Sequence, residues 1–318
     1  MFKGAVVAAV VPAYKEEKMI TRVIDTMPDY VDHIIIVDDC SPDATSEVVK
    51  QSPDARVTLI RHEVNKGVGG AIITGHKKAI ELGSDVNVIM AGDAQMDPAY
   101  LPALLERVTT DGYGFAKANR FFAPESFSGM PGYRVFGNIV LSFMTKLASG
   151  YWHLFDPQNG YTAIRTSVLR RLSLDRIAER YSFENDLLIH LNIIQVPAVD
   201  VPVPAVYGDE VSTIKLRRVV PELISLLTVG FWRRIWYRYV LWSFSPIALL
   251  LFLGLVLFLF GLGVAIWVCF QIAASAVATA ATVMLAALPL MIGTQMLISA
   301  LQLDIQSSPS KPEYAPFE

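Results

Sequence analysis

The stretch Val86 to Pro98, VNVIMAGDAQMDP, runs from a short apolar segment into two carboxylates, Asp93 and Asp97, with the amide Gln95 between them. Such a run reads as a buried strand carrying oxygen donors to its C-terminal edge, where open α/β sheets bind ligands. Hard oxygen donors suit Mg²⁺ or Mn²⁺ holding a diphosphate, which makes Asp93 and Gln95 candidate metal ligands. Two other strand ends carry chemistry. Pro12, Ala13, Tyr14 and Glu16 follow the first strand, and Asp38 and Asp39 close the second. A strand-end carboxylate can accept hydrogen bonds from a nucleobase or a ribose, or can cap the next helix; Asp39 is preferred over Asp38 as the ligand. Asn65-Lys66-Gly67-Val68-Gly69-Gly70 opens a helix after the third strand. Its glycines would let backbone approach a phosphate at a helix N-terminus, or would simply make a tight turn. It is neither a P-loop nor a dinucleotide fingerprint.

These strand ends need a scaffold, and the chain alternates in the right way. Strands are expected at Ala5–Val11, His33–Val37, Val57–Arg61 and Val86–Met90, with helices at Glu17–Met27, Ala44–Gln51, Gly70–Leu82 and from Pro98 to about Thr109. That repeat implies a mostly parallel sheet covered on both faces. Further on, Gly114–Asn119 reads as a strand, Phe121–Tyr133 as a mobile loop, Ile139–Ala148 as a helix, and Asp200–Val206, with two prolines, as an edge strand or linker.

From Tyr239 to Leu303 there is no charged residue. Two membrane helices fit this length, at roughly 243–265 and 276–302. Gly261, Gly263, Trp267 and Gln271 mark the expected turn, and Pro289 lies inside the second span. Residues 217–242 carry apolar positions at helical spacing and the arginines 217, 218, 233, 234 and 238, as an amphipathic segment on anionic headgroups would, or an ordinary helix packed on the domain before it. The expected organisation is therefore a domain at 1–215, juxtamembrane helices at 216–241, two spans at 242–303 and a disordered tail at 304–318. Arginine before the first span, and none in the turn, places the large domain and the tail on the cytoplasmic side. The first apolar run stops at Pro12 and reads as a strand rather than a leader. A net charge of −3 argues against a nucleic-acid partner. The alanines 273, 274, 276, 278, 280 and 281 would allow close helix packing in a homo-oligomer.

VVPAYKEE, VDDCSPDAT, NKGVGGA and GDAQMDP, in that order, resemble glycosyltransferase family 2. They are most similar to the polyprenyl-phosphate hexosyltransferases, such as dolichyl-phosphate mannose synthase and the dolichyl- and undecaprenyl-phosphate glucosyltransferases. DPQNGY at 156–161 and Glu184-Asn185-Asp186 extend the likeness. The resemblance implies a GT-A fold, a nucleotide site lined by Pro12 to Glu16 and Asp39, and a metal on Asp93 and Gln95. Two positions depart from the pattern: Ala91 stands where an aspartate is usual, and Cys40 replaces the usual glycine.

The implied function is an inverting transfer of a hexose from a nucleotide sugar, UDP-linked in preference to GDP-linked, to a polyprenyl phosphate at the cytoplasmic membrane face. A lipid monophosphate is mostly a dianion at neutral pH and needs no general base, so the protein's task is positioning and charge neutralisation. Lys66 and Gly67 are expected on the donor side, and cations are expected around two phosphate sites, with Arg120, Arg134, Lys146, Lys215 and Arg217 as candidates. A second reading keeps the donor but takes a hydroxyl acceptor, with Glu184 or Asp186 as base. A third, prompted by Ala91, is a membrane scaffold without catalysis.

Overall fold

The computed structural model describes residues 1–122, 132–204, 216–274 and 278–310; the side chains of 133–135 and 216–219 fall outside that description. The chain divides into two compact units, Met1–Phe231 with Pro309–Glu318, and Trp232–Ser308.

The first unit is built on a seven-stranded sheet. Its strands are β1 (Val7–Ala13), β2 (His33–Asp38), β3 (Val57–Arg61), β4 (Val86–Ile89), β5 (Phe115–Asn119), β6 (Thr162–Arg165) and β7 (Ala198–Pro202), in the order β3-β2-β1-β4-β6-β5-β7. VAAVVPA and, apart from Asn87, VNVI are apolar or small runs because both sheet faces are covered, and nearly all their residues are buried. The covering helices include α1 (Ile20–Asp25), α2 (Thr45–Lys50), α3 (Val68–Glu81), α4 (Leu101–Thr109), α5 (Gly132–Ser149), the one-turn α6 (Thr166–Leu169) and α7 (Phe183–Ile193). Strands β1 to β4 pair in parallel, with Ala13 opposite Asp38 and Val10 opposite both Ile35 and Ile89. The ends of β1, β2 and β4 therefore reach one edge together.

Strand β6 is one of the elements the sequence reading lacks. It is four residues long and runs antiparallel between β4 and β5, pairing Ile89 with Thr162 and Lys117 with Thr162. The 156–161 loop before it is thereby delivered to the Asp93 edge. Strand β7 lies at the sheet's margin beside β5, as an edge strand should. Of the expected mobile loop at 121–133, residues 123–131 lie outside the description, and from Gly132 the chain is helical.

Helix α8 (Leu216–Arg234) places Leu223 and Leu227 in a buried cluster with Ala148, Ile189 and Ile193. Of the second unit, Ile235–Leu241 forms a π-helical stretch before α9 (Pro246–Ala273) and α10 (Ala280–Gln306), two helices long and apolar enough to cross a membrane. Ser245 caps α9 through the Ile247 amide with Pro246 in the first position, and Thr279 caps α10. The turn is not where the glycines suggested, because α9 continues through Gly261, Gly263, Trp267 and Gln271 to Ala273. Gly261 instead permits close packing: a Cβ there would sit 2.7 Å from Leu290 N, and one on Gly293 2.6 Å from Phe258 N.

Helix α10 also absorbs Asp304, which the sequence reading gave to the tail. Arg234, fully buried, donates to Asp304 Oδ1 at 2.6 Å and Oδ2 at 3.0 Å. Tyr239 Oη donates to Asp304 at 2.5 Å, and Arg238, also buried, reaches the Ser307 carbonyl. Arg234 and Arg238 are thus internal ties rather than contacts for lipid headgroups.

Candidate active site

The parallel strand ends enclose a cleft of about 340 Å³. Pro12, Ala13, Tyr14, Glu16, Asp39, Gly67 and Asp93, all named from sequence, line it, together with Asn65, Ala91 and Gly92. Asp93 Oδ1 accepts the Gln95 backbone N–H at 3.0 Å, an Asx turn that Ala94 completes in a left-handed conformation, φ +59°. Gln95 itself faces a neighbouring hollow of about 90 Å³ shared with Asp93, Arg120, Asn159 and Tyr161. Asp97 lines the same hollow, and its Oδ1 caps the following 3₁₀ turn through Ala99 N at 2.8 Å.

Asp39 and Asp38 have parted roles. Asp39 accepts from Lys66 N (2.9 Å) and Gly67 N (2.7 Å), and its Oδ1 lies 2.7 Å from His62 Nδ1. These occupy three of about four lone-pair positions, which leaves one for a ligand in the cleft. His62 in turn meets Thr74 Oγ1 at 2.9 Å, so a buried histidine that sequence reasoning missed braces the aspartate. Asp38 is fully buried, accepts Ser41 N at 2.9 Å and bonds Ser46 Oγ. It holds the 41–46 turn, whose Ser41 and Thr45 hydroxyls accept the backbone N–H groups of Lys15 and Glu16. Asp38 is a support rather than a second ligand in the cleft. Cys40 adopts φ +61°, the left-handed conformation that suits the glycine it replaces.

The glycine turn also works differently from the expectation. A Cβ on Gly69 would lie 2.7 Å from the Ala178 carbonyl oxygen, one on Gly67 (φ +91°) 2.8 Å from that of Glu179, and Gly70 N donates to Glu179 O at 2.9 Å. The glycines admit the 178–181 loop, which fills the place expected for phosphate. That loop brings Arg180 and Tyr181 into the cleft lining, two residues no sequence pattern had flagged. Lys66 engages Asp39 through its backbone, and its side chain is absent from the lining.

The remaining cations separate. Arg120 is clamped by buried Asp156, Nε to Oδ2 at 2.8 Å and Nη2 to Oδ1 at 2.9 Å, and lines the Gln95 hollow. Burial would raise the Asp156 carboxyl, but hydrogen bonds and charge from Arg120, with Lys117 nearby, hold it below the usual carboxylate range. Lys146 donates to the Trp152 carbonyl at 2.9 Å and sits over the Phe155 ring, away from both cavities around Asp93. Arg134 falls on α5 and Arg217 on α8, with side chains outside the described set, and Lys215 lies outside the described residues altogether. Asp186, buried, accepts Ala178 N at 2.9 Å, which ties it to the loop. Glu184, half-buried, places Oε1 3.7 Å from where a Cβ on Gly160 would be, and burial pushes its carboxyl up to about 7.

A divalent cation fits this donor set as a shared ion. Among the described residues no three acidic, histidine or cysteine side chains form a cage. Mg²⁺-type sites commonly use one or two carboxylates and complete their shell with substrate phosphates. Asp93, with Glu16 and Asp39 in the same cleft, offers that.

Comparison with known proteins agrees with this geometry. Residues 8–173 match the model of glycosyl transferase family 2, and the chain belongs to that family. A UDP-N-acetylglucosamine–dolichyl-phosphate N-acetylglucosaminyltransferase of Methanococcus voltae is 35% identical over 215 residues, 63% of this chain and 85% of the relative. An undecaprenyl-phosphate mannosyltransferase of Micrococcus luteus is 29% identical, over 62% and 82% of the two chains. Crystal structures of glucosyl-3-phosphoglycerate synthase from Mycobacterium tuberculosis, one with Mn²⁺ and UDP, share the fold with a TM-score of 0.53 at 20% identity, covering 73% of this chain and 80% of that one.

Proposed function

We propose that the protein transfers a hexose, plain or N-acetylated, from a nucleotide sugar to a polyprenyl phosphate at the cytoplasmic face of a membrane. The observation that carries the reading is one chain that joins an Asp93-centred nucleotide cleft to two membrane-length helices. The named relatives support the lipid-phosphate acceptor, and the Methanococcus relative supports UDP over GDP. In the reaction the anomeric carbon–oxygen bond breaks with its electron pair leaving on the nucleoside diphosphate, while an acceptor phosphate oxygen supplies the pair for the new bond. A divalent cation, Mg²⁺ or Mn²⁺, held by Asp93 would neutralise charge on the leaving group. Asp39 holds the nucleoside side of the cleft, and Arg120, oriented by Asp156, shares the hollow of Asp93 and Gln95 and is the cation for an acceptor phosphate. Membranes containing the protein, given polyprenyl phosphate and labelled UDP-glucose, UDP-N-acetylglucosamine or GDP-mannose, should move label into the organic phase with one donor. Label in none of the three would refute the reading.

A hydroxyl acceptor is the second reading, and one observation favours it. Glu184, shifted to about 7, is poised to take a proton near neutral pH. Glu184→Gln should abolish transfer to a hydroxyl and leave most transfer to a phosphate. The intact cleft and its Asp93 stand against a scaffold without catalysis.

A further inference from the structure

Arg180 is the one basic residue lining the main cleft among the described residues, against three acidic ones, Glu16, Asp39 and Asp93. Its guanidinium has no hydrogen-bond or ion-pair partner among the described residues, in contrast to Arg120, which Asp156 occupies on two nitrogens. The loop that carries it is held at both ends. Ala178 N donates to Asp186 and Gly70 N to the Glu179 carbonyl, while the Arg180 carbonyl accepts Phe183 N at 3.0 Å. The bare faces of Gly67 and Gly69 let this loop lie directly on the start of α3. An unpaired arginine on a braced backbone, facing an acidic pocket, is pre-organised for an anion that fills the pocket.

We infer that Arg180 grips the diphosphate of the nucleotide donor, and of the leaving nucleoside diphosphate, as a fork of N–H donors. The inference rests on the nucleotide-sugar reading above. It assigns the glycine turn a second-hand role: the turn seats the loop, and the loop supplies the phosphate contact. The cleft's acidic lining cannot hold a diphosphate unaided. Arg180 and the divalent cation would supply the opposing charge together.

The test separates phosphate from nucleoside. The full-length protein in detergent, with MnCl₂ present, is titrated with UDP and GDP, and then with uridine and guanosine by competition. Arg180→Ala should weaken the diphosphate that wild type prefers by 10-fold or more, leave the matching nucleoside within 2-fold, and be partly restored by Arg180→Lys. Equal losses for diphosphate and nucleoside would show that Arg180 only shapes the wall, and would overturn the assignment. So would an unchanged diphosphate affinity. If wild type bound neither UDP nor GDP, the nucleotide-sugar reading would itself fall, and the assignment with it.

Discussion

Replacing Asp304 with alanine should unfold the second unit more readily than almost any other single change in it. Arg234 is fully buried and donates to both carboxylate oxygens of Asp304. Removing the carboxylate leaves a guanidinium without its counter-charge in a dry setting, and also takes an acceptor from Tyr239, which keeps Ser307 Oγ at 2.8 Å. Breaking a buried ion pair from one side costs about 3–5 kcal/mol. Replacing both partners with apolar residues of similar volume is often neutral, so Arg234→Met with Asp304→Leu should recover most of the loss. Four of the five tryptophans, at 232, 236, 242 and 267, lie in this unit, so tryptophan fluorescence during thermal or denaturant unfolding in detergent reports on it directly. Asp304→Ala within 1 kcal/mol of wild type, or a double variant no more stable than the single, would show that the pair is not the tie described.

Asp93→Ala should lower turnover by about 10²–10³-fold, the scale of losing a group that stabilises developing charge, and EDTA should do the same to wild type. Full activity of that variant in EDTA would remove the metal from the site. Ala91 borders both the cleft and the Gln95 hollow, so Ala91→Asp has room and should tighten Mn²⁺ binding; an unchanged titration would place residue 91 outside the metal's reach. His76 is buried with neither ring nitrogen hydrogen-bonded among the described residues, and burial lowers its pKa from 6.5 to about 4. Its unfolded form takes up a proton first, so the stability it contributes is full above pH 6.5 and is lost as pH falls toward 4, by about 3 kcal/mol. His76→Leu should flatten the pH dependence of unfolding over that window, and an identical slope in the two proteins would refute the burial argument.

The first four strand-to-turn units were legible because each strand is an apolar run that stops at a polar motif. Strand β6 was not, since four residues, TAIR, carry no period. Helix α7, FENDLLIHLNI, escaped for the opposite reason: it is buried on nearly every side and shows no polar face to reveal the helical repeat. At the site, Asp39 and Asp93 could be read because they sit at strand ends. Asp38, one residue away, turns into the protein, a difference that adjacent identical residues cannot advertise. Gly67 and Gly69 were placed correctly with the wrong partner, since a glycine signals close approach without saying what approaches. His62 and Arg180 come from segments with no local pattern, and Arg234 looked like a headgroup contact because a buried partner seventy residues on is invisible to periodicity.

The wall built by residues 178–181 has a consequence for how such chains diverge. The four motifs lie within residues 8–173, the part that the family model matches, and none of them includes residues 178–181, which help close the donor cleft. A descendant can keep every signature residue and still exchange that wall, provided the glycines beneath continue to accept a loop. Donor preference can then drift without disturbing the chemistry. Two members matched by motif alone need not read the same sugar nucleotide, and comparing their 178–181 segments is a more direct guide than comparing the motifs they share.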